Sequence, residues 1–120
     1  MNSSTRAMQT LVVERPWGQF RQFTKNENVT VKIHHITPHS SWSLQYHNHR
    51  SELYFILEGT PVVTVGENKL AAKPGDEFLV HEKEKHRIEA GDTETVVLEI
   101  CYGEFDENDI VRLEDTYGRA

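Results

Sequence analysis

The sequence lacks several features that would place it in whole classes of protein. It contains one cysteine, Cys101, and so cannot form an internal disulfide. No stretch approaches the roughly 18 consecutive apolar residues of a membrane-spanning helix. The amino terminus, MNSSTRAMQT, has no apolar stretch after Arg6 and so does not resemble a secretory signal. These absences predict a cytoplasmic protein with no membrane partner, in which Cys101 is a buried core residue.

An excess of positive charge is also missing. The chain has 13 Lys and Arg residues against 19 Asp and Glu residues, for a formal net charge of −6. This sign disfavours binding to a phosphodiester backbone, so we expect no nucleic-acid partner. Individual arginines, namely Arg50, Arg112 and Arg119, remain candidates for binding one small anionic ligand.

A helical period is absent too, and short alternating or β-branched runs between residues 29 and 102 predict strands instead. The runs are VTVKIHHI, WSLQYH, LYFIL, PVVTV, EFLV, HRIEA and TVVLEICY. Turn residues separate the runs about every ten residues, and Gly59 and Gly75 lie at junctions where the chain must turn tightly. This rhythm predicts an all-β protein, a single antiparallel barrel of the jelly-roll type.

A chain of 120 residues is long enough for one domain with one core. We expect residues 1–10 to form a flexible tail and residues 11–120 to form that domain. After residue 102 the sequence becomes acidic and aromatic without alternation. Residues 103–120 are therefore predicted to be a closing segment, packed on the outside of the barrel or onto a partner.

The segment at residues 45–52 concentrates polar side chains that can bind a metal ion. If it is a strand, Gln45, His47 and His49 point to the same face, because side chains alternate along a strand. Unpaired polar groups are costly inside a barrel, and a metal ion removes that cost by taking imidazole and carboxylate ligands. The pattern therefore predicts a metal site.

Glu52 has the opposite parity from the two histidines. The chain must bend or bulge near residues 50–51 for this carboxylate to join the site, and Tyr54 and Ile56 then follow it inward. His86, at the start of a later strand, is the expected contribution from a distant part of the sequence.

These residues resemble the two motifs of the cupin superfamily. Spaced histidines and Glu52 are followed after six residues by Gly59, and Gly75 is followed by a later histidine, His86. The second motif departs from the usual pattern at His81, Lys83 and Ala90. The resemblance implies a single cupin jelly-roll β-barrel, also called a double-stranded β-helix, with one divalent metal ion.

Five short segments resemble more closely the type II phosphomannose isomerase domain, over about residues 14 to 119. They are RPWG at 15–18, SLQ at 43–45, HRSE at 49–52, DIVR at 109–112 and YGR at 117–119. In that family the domain often follows a sugar-nucleotide pyrophosphorylase, whose Gly-rich motif is missing here, so we expect no guanylyltransferase activity. Cys101 stands where the family commonly has glutamine. The resemblance implies a metal-dependent enzyme that interconverts mannose 6-phosphate and fructose 6-phosphate.

Cupin spacing leaves two ligand sets open. The first is Gln45, His47, Glu52 and His86. In the second, His47 and His49 are the paired histidines, and Gln45 faces the substrate or supports a ligand. Zinc is the first expectation for the ion, and the donor types also accommodate manganese, iron, cobalt or nickel.

Isomerisation of an aldose to a ketose needs a base that moves a proton between C1 and C2. By elimination, His49 or Glu99 is that base. Glu99 lies in an apolar run, where a carboxylate is expected only if it forms a salt bridge, lies at a sheet edge or acts as a general base. Arg50 would anchor the sugar phosphate, helped by Lys32 or an arginine near the carboxyl terminus. Four histidines are assigned no chemical role: His34, His35, His39 and His81.

Two other functions are compatible with the same residues. One is a cupin that binds metal or sugar without turnover, and the other is a different metal-dependent reaction, such as that of a dioxygenase or a sugar epimerase. The donor set does not separate them. The expected partners are a small phosphorylated sugar and, by analogy with other cupins of this size, a second copy of the chain.

Overall fold

The computed structural model describes residues 10–115, which form eleven β-strands and no helix. In chain order these are β1 (Leu11–Arg15), β2 (Gly18–Gln22), β3 (Val29–Ile36), β4 (Leu44–Tyr46), β5 (Glu52–Glu58), β6 (Val62–Val65), β7 (Asn68–Ala71), β8 (Glu77–Val80), β9 (His86–Glu89), β10 (Thr95–Tyr102) and β11 (Val111–Glu114). The prediction of an all-β chain is confirmed. Within residues 10–115 no helix is long and apolar enough to span a membrane.

The strands pair antiparallel in three sheets. A four-stranded sheet has the order β3-β10-β5-β8, a five-stranded sheet has the order β11-β4-β9-β6-β7, and β1 and β2 form a separate hairpin. One apolar core draws side chains from both larger sheets, which therefore face each other. Its buried members are Ile36, Tyr54, Ile56, Val63, Ala72, Val80, Ile88, Ala90 and Val97.

Each of the seven predicted runs overlaps a strand, and β3, β8 and β10 coincide with their runs. Strands β1, β2, β7 and β11 were not predicted. They are short, and most of their residues are exposed or half-buried, so they lack the regular alternation of buried and exposed side chains that predicts a strand.

The predicted bend before Glu52 is present. Strand β4 ends at Tyr46, residues 47–51 lie outside any strand, and β5 begins at Glu52. The side chain of Glu52 is fully buried, and Tyr54 and Ile56 follow it into the core as expected. The bend thus resets the alternation and turns the carboxylate toward the space between the sheets.

The closing segment predicted at residues 103–120 is described as far as residue 115. Residues 103–110 form a loop after β10, and β11 then pairs with β4 at the edge of the five-stranded sheet. Side chains of this loop line a cavity between the sheets. The tail predicted at residues 1–10 lies, apart from Thr10, outside the described residues, as do Arg119 and the YGR segment at 117–119.

Candidate metal centre

Three buried side chains from different elements converge between the two sheets. His47 follows β4, Glu52 opens β5 and His86 opens β9. Glu52 Oε1 lies 3.5 Å from His47 Nε2 and 3.6 Å from His86 Nε2, and all three ligand atoms lie within 4.8 Å of one another. Ligands bound about 2.0–2.2 Å from one zinc ion are themselves roughly 3–3.5 Å apart. The spacing therefore fits a shared divalent ion.

Both imidazoles are held with their Nε2 atoms directed at Glu52. The Nδ1 of His47 lies 2.6 Å from the carbonyl oxygen of Asp109, and the Nδ1 of His86 lies 3.0 Å from that of Glu84. Because a carbonyl can only accept, each Nδ1 donates a hydrogen to it, and in the neutral ring this leaves the lone pair on Nε2. His86 Nε2 is buried and has no hydrogen-bond partner among the described residues. This orphaned acceptor is what a metal ion would satisfy.

The protonation state of His86 suits the same role. Burial lowers the pKa of His86 from its ordinary value, although the nearby charge of Glu52 opposes this shift. The imidazole is therefore neutral at neutral pH, which is the form that binds metals.

Gln45 lies in the row of side chains next to these donors. In the antiparallel register it is opposite His86 on one side and Arg112 on the other, so all three share a sheet face. The Ser43 hydroxyl donates to Gln45 Oε1 over 2.7 Å, and Gln45 lines the cavity beside His47. Gln45 therefore shares a sheet face with His86, and the ligand set that contains Gln45 stays a prediction.

His49 does not join the cluster. Because β4 ends at Tyr46, the alternation assumed for residues 45–49 stops before His49, and its side chain is exposed. Its backbone N–H donates to the Asp109 carboxylate over 2.9 Å. The expectation that His49 is a metal ligand or the base therefore has no support in the geometry.

The carboxylate of Glu52 is held through both oxygens. Its Oε2 accepts from Arg50 Nε over 2.7 Å and from the Cys101 thiol over 3.2 Å, while its Oε1 accepts from the Tyr54 hydroxyl. Burial would raise the pKa of Glu52, but the hydrogen bonds with Glu99 and the Tyr54 hydroxyl oppose this and hold the pKa below its ordinary value. Glu52 is therefore ionised and held in a fixed orientation, as a carboxylate metal donor would be.

Arg50 is placed differently from the phosphate anchor expected from the sequence. It is only 8% exposed, and besides Glu52 it donates to the carbonyl of Asp106 over 3.0 Å. Its guanidinium also lies 4.5 Å from the centre of the Phe105 ring. Arg50 is thus engaged with protein groups, chiefly because the buried Glu52 carboxylate needs a positive charge beside it.

A cavity of about 390 Å³ opens next to the donor cluster. Its lining side chains are Lys32, His34, Trp42, Ser43, Gln45, His47, Arg50, Glu99, Phe105, Glu107, Ile110 and Arg112. On its wall, Glu99 Oε1 lies 2.7 Å from His34 Nε2. Burial raises the pKa of Glu99 and the charge of Glu52 adds to this, against the opposing effect of the His34 hydrogen bond.

His34 lines the cavity, although the sequence predicted no chemical role for it. It lies two residues after Lys32 on β3, and Lys32 is opposite Glu99 in the register. Both side chains share the inward face with the buried Ile36. The sequence VTVKIHHI could have predicted this position. If Ile36 is buried, His34, two residues earlier on the same strand, also points inward.

Comparison with known proteins identifies the family. The family described as "Mannose-6-phosphate isomerase C-terminal" matches residues 2–115. The xanthan biosynthesis protein XanB of Xanthomonas campestris is 35% identical over 110 residues, which are 90% of this chain and 24% of XanB. The mannose-1-phosphate guanylyltransferase ManC of Salmonella typhimurium is 34% identical over 111 residues, which are 90% of this chain and 23% of ManC. The chain spans about a quarter of the length of these curated relatives.

Solved structures bear on the fold alone. An uncharacterized protein from Klebsiella pneumoniae with a double-stranded β-helix domain superposes with a TM-score of 0.64 at 15% identity, over 76% of this chain and 78% of that one. The two facing antiparallel sheets therefore form a double-stranded β-helix. The chain belongs to the mannose-6-phosphate isomerase C-terminal family, and its fold is that of the cupins.

Proposed function

We propose that this domain is a metal-dependent aldose–ketose isomerase that interconverts mannose 6-phosphate and fructose 6-phosphate, or a closely related sugar phosphate. The observation that carries the proposal is that His47, one of three clustered metal-donor residues, and a carboxyl of raised pKa, Glu99, line one cavity. Membership of the family supports the substrate class. The cavity volume of about 390 Å³ falls in the range of small-molecule sites, about 300–1,000 Å³.

The metal donors would be His47, Glu52 and His86, with Gln45 beside them. A bound divalent ion would supply Lewis acidity and stabilise negative charge on a sugar oxygen. Zinc is the ion we expect first at these imidazole, amide and carboxylate donors, which also accommodate manganese, iron, cobalt or nickel.

Glu99 is proposed as the base, since His49 lies outside the cavity. Isomerisation passes through an enediol, so one group must remove a proton from a sugar carbon and return it to the neighbouring carbon. Glu99 lies on the cavity wall and is oriented by His34. Burial and the charge of Glu52 raise its pKa, so Glu99 in its ionised form is a stronger proton acceptor than an exposed carboxylate.

The phosphate would be held by Lys32 and Arg112, which line the cavity from the two opposed sheets. Arg50 is not assigned this role because its guanidinium is engaged with Glu52 and Asp106. Lys32 Nζ lies 4.1 Å from the centre of the Phe105 ring, at the loop that bounds the cavity. A cation there would position the far end of the sugar and so orient its reacting carbons.

Replacing Glu99 tests the proposed base. We expect Glu99→Gln to lower kcat for mannose 6-phosphate about 10²–10⁴-fold, because the amide cannot accept the proton, while KM stays within a few-fold. Turnover would be followed by a coupled assay for fructose 6-phosphate with saturating metal. The matched control is His49→Ala, which removes the other candidate base and should retain turnover. Near-normal kcat in Glu99→Gln would reject Glu99 as the base.

A second candidate is a cupin that binds a sugar phosphate without turnover. It is favoured by the position of Arg50, whose Nη2 lies 3.3 Å from His47 Nε2, the same nitrogen that a metal ion would need. Calorimetric binding of mannose 6-phosphate without formation of its isomer would support this function. Oxygen uptake would instead indicate a dioxygenase.

A further inference from the structure

Asp109, in the loop between β10 and β11, contacts the segment that carries His47 at three points. Its backbone carbonyl accepts from His47 Nδ1 over 2.6 Å. Its carboxylate accepts the backbone N–H of Asn48 over 2.8 Å at Oδ1 and that of His49 over 2.9 Å at Oδ2. A residue more than 60 positions away in the sequence therefore fixes both the ring and the backbone at this ligand.

These contacts replace strand pairing where it ends. Strand β11 pairs with β4 through Val111 and Tyr46, and the next residues of both strands leave the ladder. The backbone N–H groups just after His47 would otherwise need other acceptors. The Asp109 side chain supplies them, so the loop continues the sheet edge up to the metal ligand.

The same loop also forms part of the cavity wall. Phe105 and Ile110 line it, and the guanidinium that holds Glu52 donates to the carbonyl of Asp106. Two of the three metal donors are thus held, directly or through Arg50, by residues 103–110.

We propose that Asp109 is a positioning residue for the metal centre, and that it couples the order of loop 103–110 to the affinity for a divalent ion. This inference rests on the metal centre of the proposed function. An ion that fixes His47 stabilises the Asp109 contacts, and by linkage those contacts raise the affinity for the ion. Supporting groups behind a ligating histidine typically contribute about 10–100-fold in metal affinity.

The test compares Asp109→Asn with the wild-type chain by zinc titration against a chromophoric chelator. Asparagine keeps the size of the side chain, but its NH₂ cannot accept a backbone N–H, so one contact is lost while the backbone carbonyl stays. We expect the Kd for zinc to rise about tenfold or more. The control is Glu104→Gln, which makes the same charge change at an exposed position of the same loop and should leave the Kd unchanged.

Amide hydrogen exchange gives a readout that does not depend on turnover. Zinc should slow exchange at Asn48, His49 and loop 103–110 in the wild-type chain, and much less in Asp109→Asn. An unchanged Kd and unchanged protection in Asp109→Asn would overturn this inference alone, leaving the metal centre and the isomerase proposal standing. Failure of the wild-type chain to bind zinc would overturn the metal centre itself.

Discussion

Arg50 and Glu52 form a buried ion pair beside the proposed metal position. Glu52 is fully buried and Arg50 is 8% exposed, with 2.7 Å between Nε and Oε2. An ionised carboxylate in such a place is strongly disfavoured unless a cation and hydrogen bonds compensate it. The pair therefore fixes which carboxylate oxygen, Oε1, faces the two imidazoles.

Removing Arg50 should destabilise the metal-free chain strongly. We expect Arg50→Ala to lower the free energy of unfolding by about 3–5 kcal/mol, because it leaves the Glu52 charge buried and uncompensated. Urea denaturation in the presence of chelator measures this. The matched control is Arg21→Ala, which breaks a partly exposed pair with Glu77 and should cost only about 0–1 kcal/mol. Equal small losses in the two variants would contradict the account of the buried pair.

At the scale of elements, the turn after β5 has no room for a side chain at position 59. Gly59 has a φ of +91°, and a Cβ there would lie 2.6 Å from the carbonyl oxygen of Glu94 and 2.9 Å from Thr95 Oγ1. Gly75 has a similar φ of +95° but faces open space. The two glycines share the backbone strain that a side chain would suffer and differ only in steric contact.

Alanine substitutions at Gly59 and Gly75 separate the cost of a strained backbone from the cost of a steric overlap. We expect Gly75→Ala to cost about 1–2 kcal/mol from the positive φ alone. Gly59→Ala should cost roughly 1–3 kcal/mol more, because the added methyl also overlaps the backbone at residue 94. Urea midpoints measured at an unchanged m-value give both numbers. A Gly59→Ala variant no less stable than Gly75→Ala would show that the tight approach is absent.

The sequence predicted the strands in which one face is buried, because apolar and polar residues alternate along them. Strand β3, the bend before Glu52 and the inward direction of Tyr54 all followed from period-2 patterns and parity. The same rule failed at His49, because it assumed that the strand continued past Tyr46. Asp109 was not predicted as a support for the site, since its contacts depend on where a distant loop folds back.

At the scale of the whole molecule, the donor cluster joins the two sheets. His47 and His86 belong to the five-stranded side, and Glu52 opens a strand of the four-stranded sheet. An ion held by all three would therefore act as a cross-link between sheets and stabilise the folded state. The homodimer expected from the sequence stays a prediction. The outer face of β3 carries two apolar side chains, Val31 and Ile33, that are more than half exposed in the single chain.

The central claim is that one divalent ion is held by His47, Glu52 and His86, and metal content measured beside thermal stability tests it most directly. Protein purified without chelator should contain about one divalent ion per chain, and chelation should lower its Tm by several degrees, since a ligand at 100 times its Kd stabilises by about 2.7 kcal/mol. His86→Ala should lose both the ion and the Tm shift, while His39→Ala, at an exposed histidine, should keep both. Absence of stoichiometric metal from the wild-type chain, or equal metal content in His86→Ala, would contradict the claim.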